Sequence, residues 1–358
     1  MSDIAGPVQA DERLNRLLQW TSQTLGLSPE PELLVPLTAE AGFRRYYRVG
    51  GDKGPGLLAV DADPATEDSW HFVAMAHYLR DNAIHTPDIH AVDLEAGFLL
   101  VEDLGDDLLY RQLRADPDIA TANRIYGSAL TTLLVLQQCP DVPDMIPRYD
   151  QPLLRRELEI FSEWFVSKLL EHPPTDAEAE LLQQSFERLE QSALEQPSLL
   201  VHRDYHSRNL LRCADGSLGV IDFQGALWGP CTYDLVSLLK DCYLQWPRES
   251  VRQWAWGYGQ LLMAAGLIPA VPEKTWLRWF DWMGLQRHLK VLGIFARLHL
   301  RDNKSGFLAD LPRVLAYVLE VLADYPELAG LNAWFHQVLM PLIFRQPWYR
   351  PQSGELAS

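Results

Sequence analysis

Positive charge is scarce in this chain: 31 Lys and Arg stand against 48 Asp and Glu, a formal net charge of −17. Such a surface repels a phosphate backbone or an anionic membrane, and with no dense Lys/Arg run a nucleic-acid role lacks its electrostatic basis. Cysteine is also rare. Cys139, Cys213, Cys231 and Cys242 form no C-x-x-C pair and are too sparse for a disulfide scaffold, so they read as partly buried free thiols. Long hydrophobic runs are missing as well. The longest, near Leu261 to Val271, is interrupted by Gly and Pro and is too short to span a bilayer. The N-terminal stretch has no basic segment followed by an apolar core. With no internal repeat or low-complexity tract, these absences leave a cytoplasmic globular protein as the expectation.

What is present is apolar material: 47% of residues are hydrophobic and 22% charged, enough to bury a proper core in each of two lobes. Arg13 to Leu25 has the apolar spacing of a helix. Arg45 to Val49 and Leu57 to Val60 read as two strands around a Gly-rich turn, Asp68 or Ser69 caps a helix running to about Asn82, and two short strands follow at Ile89 to Asp93 and Phe98 to Glu102. From Asp107 onward the pattern turns helical, at Ile119 to Gln138, Pro152 to Leu170, Asp176 to Leu194, Val251 to Ala265 and Trp276 to Leu300. One strand-rich island, Leu199 to Leu211 with Leu218 to Phe223, interrupts the helices. The change of pattern near Glu102 to Asp106 divides the chain into a β-rich part, residues 1–104, and a helical part, residues 105–358. The tail beyond Pro351 reads as loose.

The island carries the chemistry. His202-Arg203-Asp204 followed by Asn209 matches the kinase catalytic loop H-R-D-x-x-x-x-N, and Asp222-Phe223 comes thirteen residues after Asn209 at the end of an apolar strand. Phosphoryl transfer needs a carboxylate that orients the attacking hydroxyl and accepts its proton, and oxygen ligands that hold Mg²⁺ against the phosphates. Asp204, Asn209 and Asp222 supply those groups. Two solvated turn carboxylates would leave the Asn at its fixed offset unexplained. His202 and His206 also form an H-x-x-x-H pair, but a zinc site wants a third ligand and a helix beneath the pair, and this stretch reads as a loop.

On these residues the chain resembles the aminoglycoside phosphotransferase and choline kinase superfamily over nearly its whole length. The resemblance implies an α+β, two-lobed protein-kinase-like fold, with a small β-rich nucleotide-binding N-lobe and a larger helical C-lobe. It implies ATP and Mg²⁺ as cofactors, Asp204 as catalytic base, Asn209 and Asp222 as metal ligands, and an adenine-binding hinge at Glu102, Asp103 and Leu104, continuing to Gly105 and Asp106. An ordinary strand-to-helix turn remains the simpler reading of that hinge. Asp234 would brace the catalytic loop. The chain departs from the pattern in two places. Thr38 to Arg48 has one Gly where the phosphate-covering loop usually has three, and Asp61 stands where many relatives carry the lysine that holds the phosphates. Arg44 and Arg45 are the candidates to replace that charge, with Lys53 a weaker one.

The acceptor is written less plainly. Arg287, Lys290, Arg297 and Arg301 fall at helical spacings and form one basic stripe, read either as a solvated face or as one that binds an anionic substrate group or pairs with the lobe's many carboxylates. GFRRYYRV, LAVDADP, LLVEDLGD, LVHRDYHSRNLL, GVIDFQGALWGPCTYDLVSLLKDCY and GLQRHLKVLGIFARL together look like the bacterial anomeric amino-sugar kinases of cell-wall recycling. That resemblance implies phosphorylation of the C1 hydroxyl of N-acetylmuramate and N-acetylglucosamine, with the product passed to a sugar-1-phosphate nucleotidylyltransferase. Trp164, Trp228 and Trp246 are conceivable sugar-stacking surfaces, although core packing explains any one of them. The alternatives are another small-molecule kinase of this fold, acting on an aminoglycoside, choline or a different sugar, or a nucleotide-binding pseudokinase.

Overall fold

A computed structural model describes residues 7–37, 43–51, 54 and 56–350 of the chain. Residues 38–42 of the phosphate-covering loop, Lys53 and the tail from Pro351 lie outside the described residues. The chain divides into two compact units: residues 1–112 with 208–224, and residues 113–207 with 225–358. The hairpin carrying Asn209 and Asp222 thus groups with the N-terminal segment.

The first unit is built on a five-stranded antiparallel sheet. Its strands are β1 (Leu34–Pro36), β2 (Arg45–Val49), β3 (Leu57–Asp61), β4 (Ile89–Asp93) and β5 (Phe98–Glu102), in the order β1-β2-β3-β5-β4. Strand periodicity sends alternate residues to opposite faces. Tyr47 and Val49 of β2, Leu57 and Ala59 of β3, and Phe98 and Leu100 of β5 therefore meet Leu17 and Leu18 of helix α1 (Pro7–Leu25) in one buried cluster. Helix α2 (Ser69–Asp81) starts at Asp68, whose carboxylate accepts the His71 N–H at 2.9 Å and so satisfies an orphan donor. Gly97 is required at the β4–β5 turn: its φ is +72°, and a Cβ there would lie 2.0 Å from the Ala62 carbonyl oxygen. Helix α3 (Leu109–Ala115) leads out of this unit.

The second unit is helical. Its elements are α4 (Ile119–Gln137), α5 (Gln151–Ile160, continued by π-helical turns over Phe161–Leu169) and α6 (Asp176–Leu194), then strand β6 (Ser198–Val201). After the hairpin β7 (Leu210–Arg212) and β8 (Leu218–Val220) of the first unit come β9 (Leu227–Pro230), α7 (Tyr233–Leu239), α8 (Arg248–Ala264), α9 (Glu273–Leu300), α10 (Leu311–Asp324), α11 (Ala329–Trp334) and α12 (Met340–Ile343). Thr175 and Glu178 form a capping box that fixes the start of α6 where the sequence placed it.

Helix α9 is the axis of the second unit. It is buried almost continuously from Trp276 to Ala296, packed against α5, α6, α7 and α10. A helix surrounded on all sides needs apolar residues all round, so its apolar positions trace no single clean stripe. A Cβ at Gly293 would sit 2.4 Å from the Ile160 carbonyl oxygen, so α9 and α5 touch backbone to backbone where α5 passes into its π-helical turns. Leu158, Phe161, Phe165, Leu285, Leu289, Leu292, Val318 and Phe335 fill the surrounding core. No helix among the described residues is long and apolar enough to cross a membrane, and all four cysteines are free and buried.

Candidate active site

In the second unit, β6 ends at Val201 and pairs with β9, which carries the chain directly into α7. That connection brings two buried carboxylates under the loop that follows β6. Asp234, in the first turn of α7, accepts the backbone N–H of His202 at 2.6 Å and of Arg203 at 2.9 Å. Asp241 accepts the Ser207 hydroxyl at 2.5 Å and its N–H at 3.2 Å. The loop is thereby clamped at both ends, and the Tyr205 hydroxyl anchors its middle by donating to the Ala129 carbonyl at 2.8 Å. Arg203 adopts φ +76°, a left-handed conformation that costs a non-glycine residue on the order of 1 kcal/mol. Its guanidinium offsets that cost by donating to Glu157 at 2.5 Å and to the Gly225 carbonyl at 3.5 Å.

Asp204 is held between these anchors and is exposed. Surrounding protein raises its carboxyl pKa by desolvation, but Lys290, His206, Arg287 and His202 outweigh this and hold it below the usual carboxylate value. Asp204 is therefore ionised at neutral pH, as a base must be. Asp234 shows the opposite balance. Burial, aided by the Asp204 charge, outweighs the two backbone N–H bonds and leaves its carboxyl raised to about 7.

The expected basic stripe on α9 does not hold as one face. Because α9 is enclosed, Arg287 and Lys290 lie inside the unit, at 4% and 9% exposure. Arg301, at the helix end, is exposed and pairs with neighbouring Asp302 at 2.7 Å. Lys290 donates to Glu157 at 2.8 Å and to the Tyr233 hydroxyl at 3.1 Å. Glu157 also receives Arg203, the Tyr149 hydroxyl and the Gln286 amide. Burial raises its pKa, yet Lys290 and Arg203 overcome this and keep it lowered. This buried network supports the catalytic loop from beneath, and its hub, Glu157, was not singled out from sequence. One glutamate on an amphipathic helix carries no local mark; only its tertiary partners identify it.

In the first unit, β7 and β8 pair with Leu210 opposite Val220. The Ile221 N–H continues the ladder to the Asn209 carbonyl at 3.1 Å, so this hairpin sets Asn209 beside Ile221 and its neighbour Asp222. Asp222 has φ +64° and accepts the Gln224 amide on Oδ1 at 2.7 Å. An amide and a carboxylate offer oxygen donors of the kind a hard cation such as Mg²⁺ takes. Phe223 stacks on Phe72 at 5.1 Å, and the Arg44 guanidinium lies over the same Phe72 ring at 4.7 Å while pairing with Glu67 at 3.0 Å. Tyr46 feels both Arg44 and Asp222, although burial is the main reason its hydroxyl pKa is raised.

Arg45 sits on the other face of β2. It lies directly opposite Asp61, pairs with it at 2.5 Å, and shares it with Arg13 of α1. Asp61, only 2% exposed, thus serves as the buried anion shared by two partly exposed arginines. At the end of β5, Glu102 accepts the Asp88 N–H at 3.1 Å, and Asp103 binds Arg48 at 2.5 Å while its own N–H goes to the Gly56 carbonyl. Leu104 follows, packed over Gly219, and its backbone N–H has no partner among the described residues. Of the three tryptophans, Trp246 is core: it donates to the Tyr126 hydroxyl at 2.7 Å and packs edge-on against Trp254. Trp228 lies under Arg148, and Trp164 under Lys168.

The sequence profile of the phosphotransferase enzyme family matches residues 34–265. The N-acetylmuramate/N-acetylglucosamine kinase of Pseudomonas putida is 42% identical over 326 residues, covering 91% of this chain and 93% of its own. Among solved structures, the ethanolamine kinase of Plasmodium vivax superposes with a TM-score of 0.61 at 13% identity, over 86% of this chain and 88% of its own. An ADP-bound aminoglycoside phosphotransferase superposes with a TM-score of 0.58 at 14% identity, over 86% and 98%. These neighbours share the two-lobed kinase-like α+β architecture expected from the sequence. Motif, fold and profile agree: the chain belongs to the phosphotransferase enzyme family.

Proposed function

We propose that this protein transfers the γ-phosphoryl of ATP to the anomeric hydroxyl of N-acetylmuramate and N-acetylglucosamine. The observation that carries the reading is Asp204, an ionised and exposed carboxylate on a loop clamped by Asp234 and Asp241, in a chain 42% identical to a kinase named for those two sugars. Asp204 accepts the proton of the C1 hydroxyl as that oxygen bonds to the γ-phosphorus and the bond to the ADP oxygen breaks. The anomeric hydroxyl is more acidic than the sugar's other alcohols, so one positioned carboxylate suffices. Asn209 and Asp222 would hold Mg²⁺, whose charge supports the phosphates. Glu102, Asp103 and Leu104 would receive adenine, with the Leu104 N–H as the available donor. The acidic surface and the lack of a basic run favour work in the cytoplasm, away from nucleic acid and membrane. A sugar 1-phosphate is the substrate of a nucleotidylyltransferase, which supplies the next step.

The product tests the reading. N-acetylglucosamine and N-acetylmuramate are expected to yield acid-labile, non-reducing 1-phosphates, seen by phosphorus-coupled NMR at the anomeric proton. A reducing 6-phosphate, or turnover only with an aminoglycoside or choline, contradicts it. No magnesium-dependent ATP turnover with any acceptor would identify a pseudokinase instead.

Arg44 is the favoured phosphate cation, because it stacks on Phe72, whose ring stacks in turn on Phe223 beside Asp222, and its partner Glu67 lies outside the strand pair, whereas Arg45 is held by the buried Asp61 across β2 and β3. Arg44→Gln is expected to raise the KM for ATP by about tenfold, the scale of one charge-assisted hydrogen bond. Arg45→Gln should act mainly on folding, lowering stability by about 1 kcal/mol as Asp61 loses one of its two partners. Denaturant midpoints beside steady-state kinetics separate them. A raised KM with an unmoved midpoint in Arg45→Gln would transfer the phosphate role to Arg45.

A further inference from the structure

The geometry points to Arg287 as a carboxylate-binding subsite that recognises the lactyl group of N-acetylmuramate, an inference that rests on the sugar-kinase reading above. A guanidinium removed from water is costly unless an anion meets it. Arg287 is 4% exposed, yet its one hydrogen bond is a weak one from Nη1 to the Cys242 sulfur at 3.6 Å, and it has no ion-pair partner among the described residues. Other buried cations of the same unit are matched. Lys290, one turn along α9, has Glu157 at 2.8 Å. A recess of about 430 Å³ lined by Lys240, Arg248, Arg252, Asp281 and Glu320 is matched too, with Lys240 at 3.1 Å and Arg252 at 3.3 Å from Asp281. Arg287 is the exception.

Its surroundings say which anion it awaits. Arg287 interacts electrostatically with Asp204, the group that meets the acceptor hydroxyl, and it belongs to the same unit. Asn209, Asp222 and Arg44, the residues on the phosphate side of the reaction, belong to the other unit. On these grounds Arg287 is assigned to the acceptor side of the reaction. The two acceptors differ by one ionisable group: N-acetylmuramate carries a carboxylate on its lactyl ether, and N-acetylglucosamine carries none. The planar fork of arginine fits a carboxylate bidentately, which a lysine would not do.

The wild-type enzyme is therefore expected to use N-acetylmuramate with a kcat/KM at least about tenfold above that of its carboxyl methylamide, the discrimination a charge-assisted bond supplies. Arg287→Met should erase that preference and shift the ratio of kcat/KM values for N-acetylmuramate and N-acetylglucosamine by about 10- to 100-fold toward the neutral sugar. Arg287→Lys, which keeps the charge and loses the fork, should fall between. Unfolding midpoints report whether each variant is folded, and the acid-against-amide comparison needs no variant. Equal use of acid and amide by the wild type overturns the subsite, as does an unchanged sugar ratio in folded Arg287→Met or Arg287→Lys. Wild-type turnover of N-acetylglucosamine separates these failures from failure of the sugar-kinase reading, in which neither sugar would be phosphorylated.

Discussion

Asp204→Asn is expected to bind ATP in the presence of magnesium almost normally and to lose phosphoryl transfer by at least about 10²-fold, the low end of a general-base contribution. The substitution keeps the size of the side chain and removes its negative charge, and with it the ability to take a proton. The fold should not object. Asp204 is exposed, and the loop is anchored by Asp234, Asp241 and Tyr205. The thermal midpoint should therefore stay close to wild type while kcat falls. Titration of a non-hydrolysable ATP analogue beside steady-state assays checks both halves. Turnover within a few-fold of wild type would remove Asp204 from the role of base.

The second large effect is expected at Asp222. Replacing it by Ala should abolish most of the gain in ATP affinity that magnesium confers, because a charged oxygen ligand is lost, and turnover should fall with it. Backbone conformation complicates this one substitution. Asp222 has φ +64°, a region Asn and Asp tolerate better than Ala, so Asp222→Ala adds local strain to the lost charge. Asp222→Asn is the matched control, since it keeps a residue suited to that conformation and removes the charge alone. Both variants should show the same loss of metal dependence. If Asp222→Asn retains the wild-type response to magnesium, the Ala effect is conformational and Asp222 is not a metal ligand.

How much of this was legible beforehand differs by residue. The spacing of Asp204, Asn209 and Asp222 is written along the chain because the loop and hairpin that carry them are local: eight residues of loop after β6, then two short strands paired in register. Asp234, in the first turn of the helix that follows β9, was named through the family resemblance. Helices with strong caps were equally plain, as at Asp68 and Thr175. By contrast β1 and the helices after Leu311 were not anticipated. A three-residue strand exists only by pairing with β2, and of the C-terminal helices α10 is fixed by packing against α9 and α11 by packing against α10 and α6.

By itself, then, the sequence determined the class of chemistry, the kinase-like architecture and the acceptor suggested by resemblance, since each depends on motifs confined to short segments. Only the tertiary structure decided what the charges do. Arg44 and Arg45 are adjacent and chemically identical, but strand alternation sends one to Phe72 and Glu67 and the other to Asp61. Arg287 and Lys290 look like neighbours on one basic stripe, and burial of α9 pairs one with Glu157 while leaving the other, among the described residues, with no ion pair and the Cys242 sulfur as its hydrogen-bond partner. The reason is physical: a charge's role depends on what is brought within a few ångströms of it and on how much water is removed, and neither quantity is carried by position along the chain.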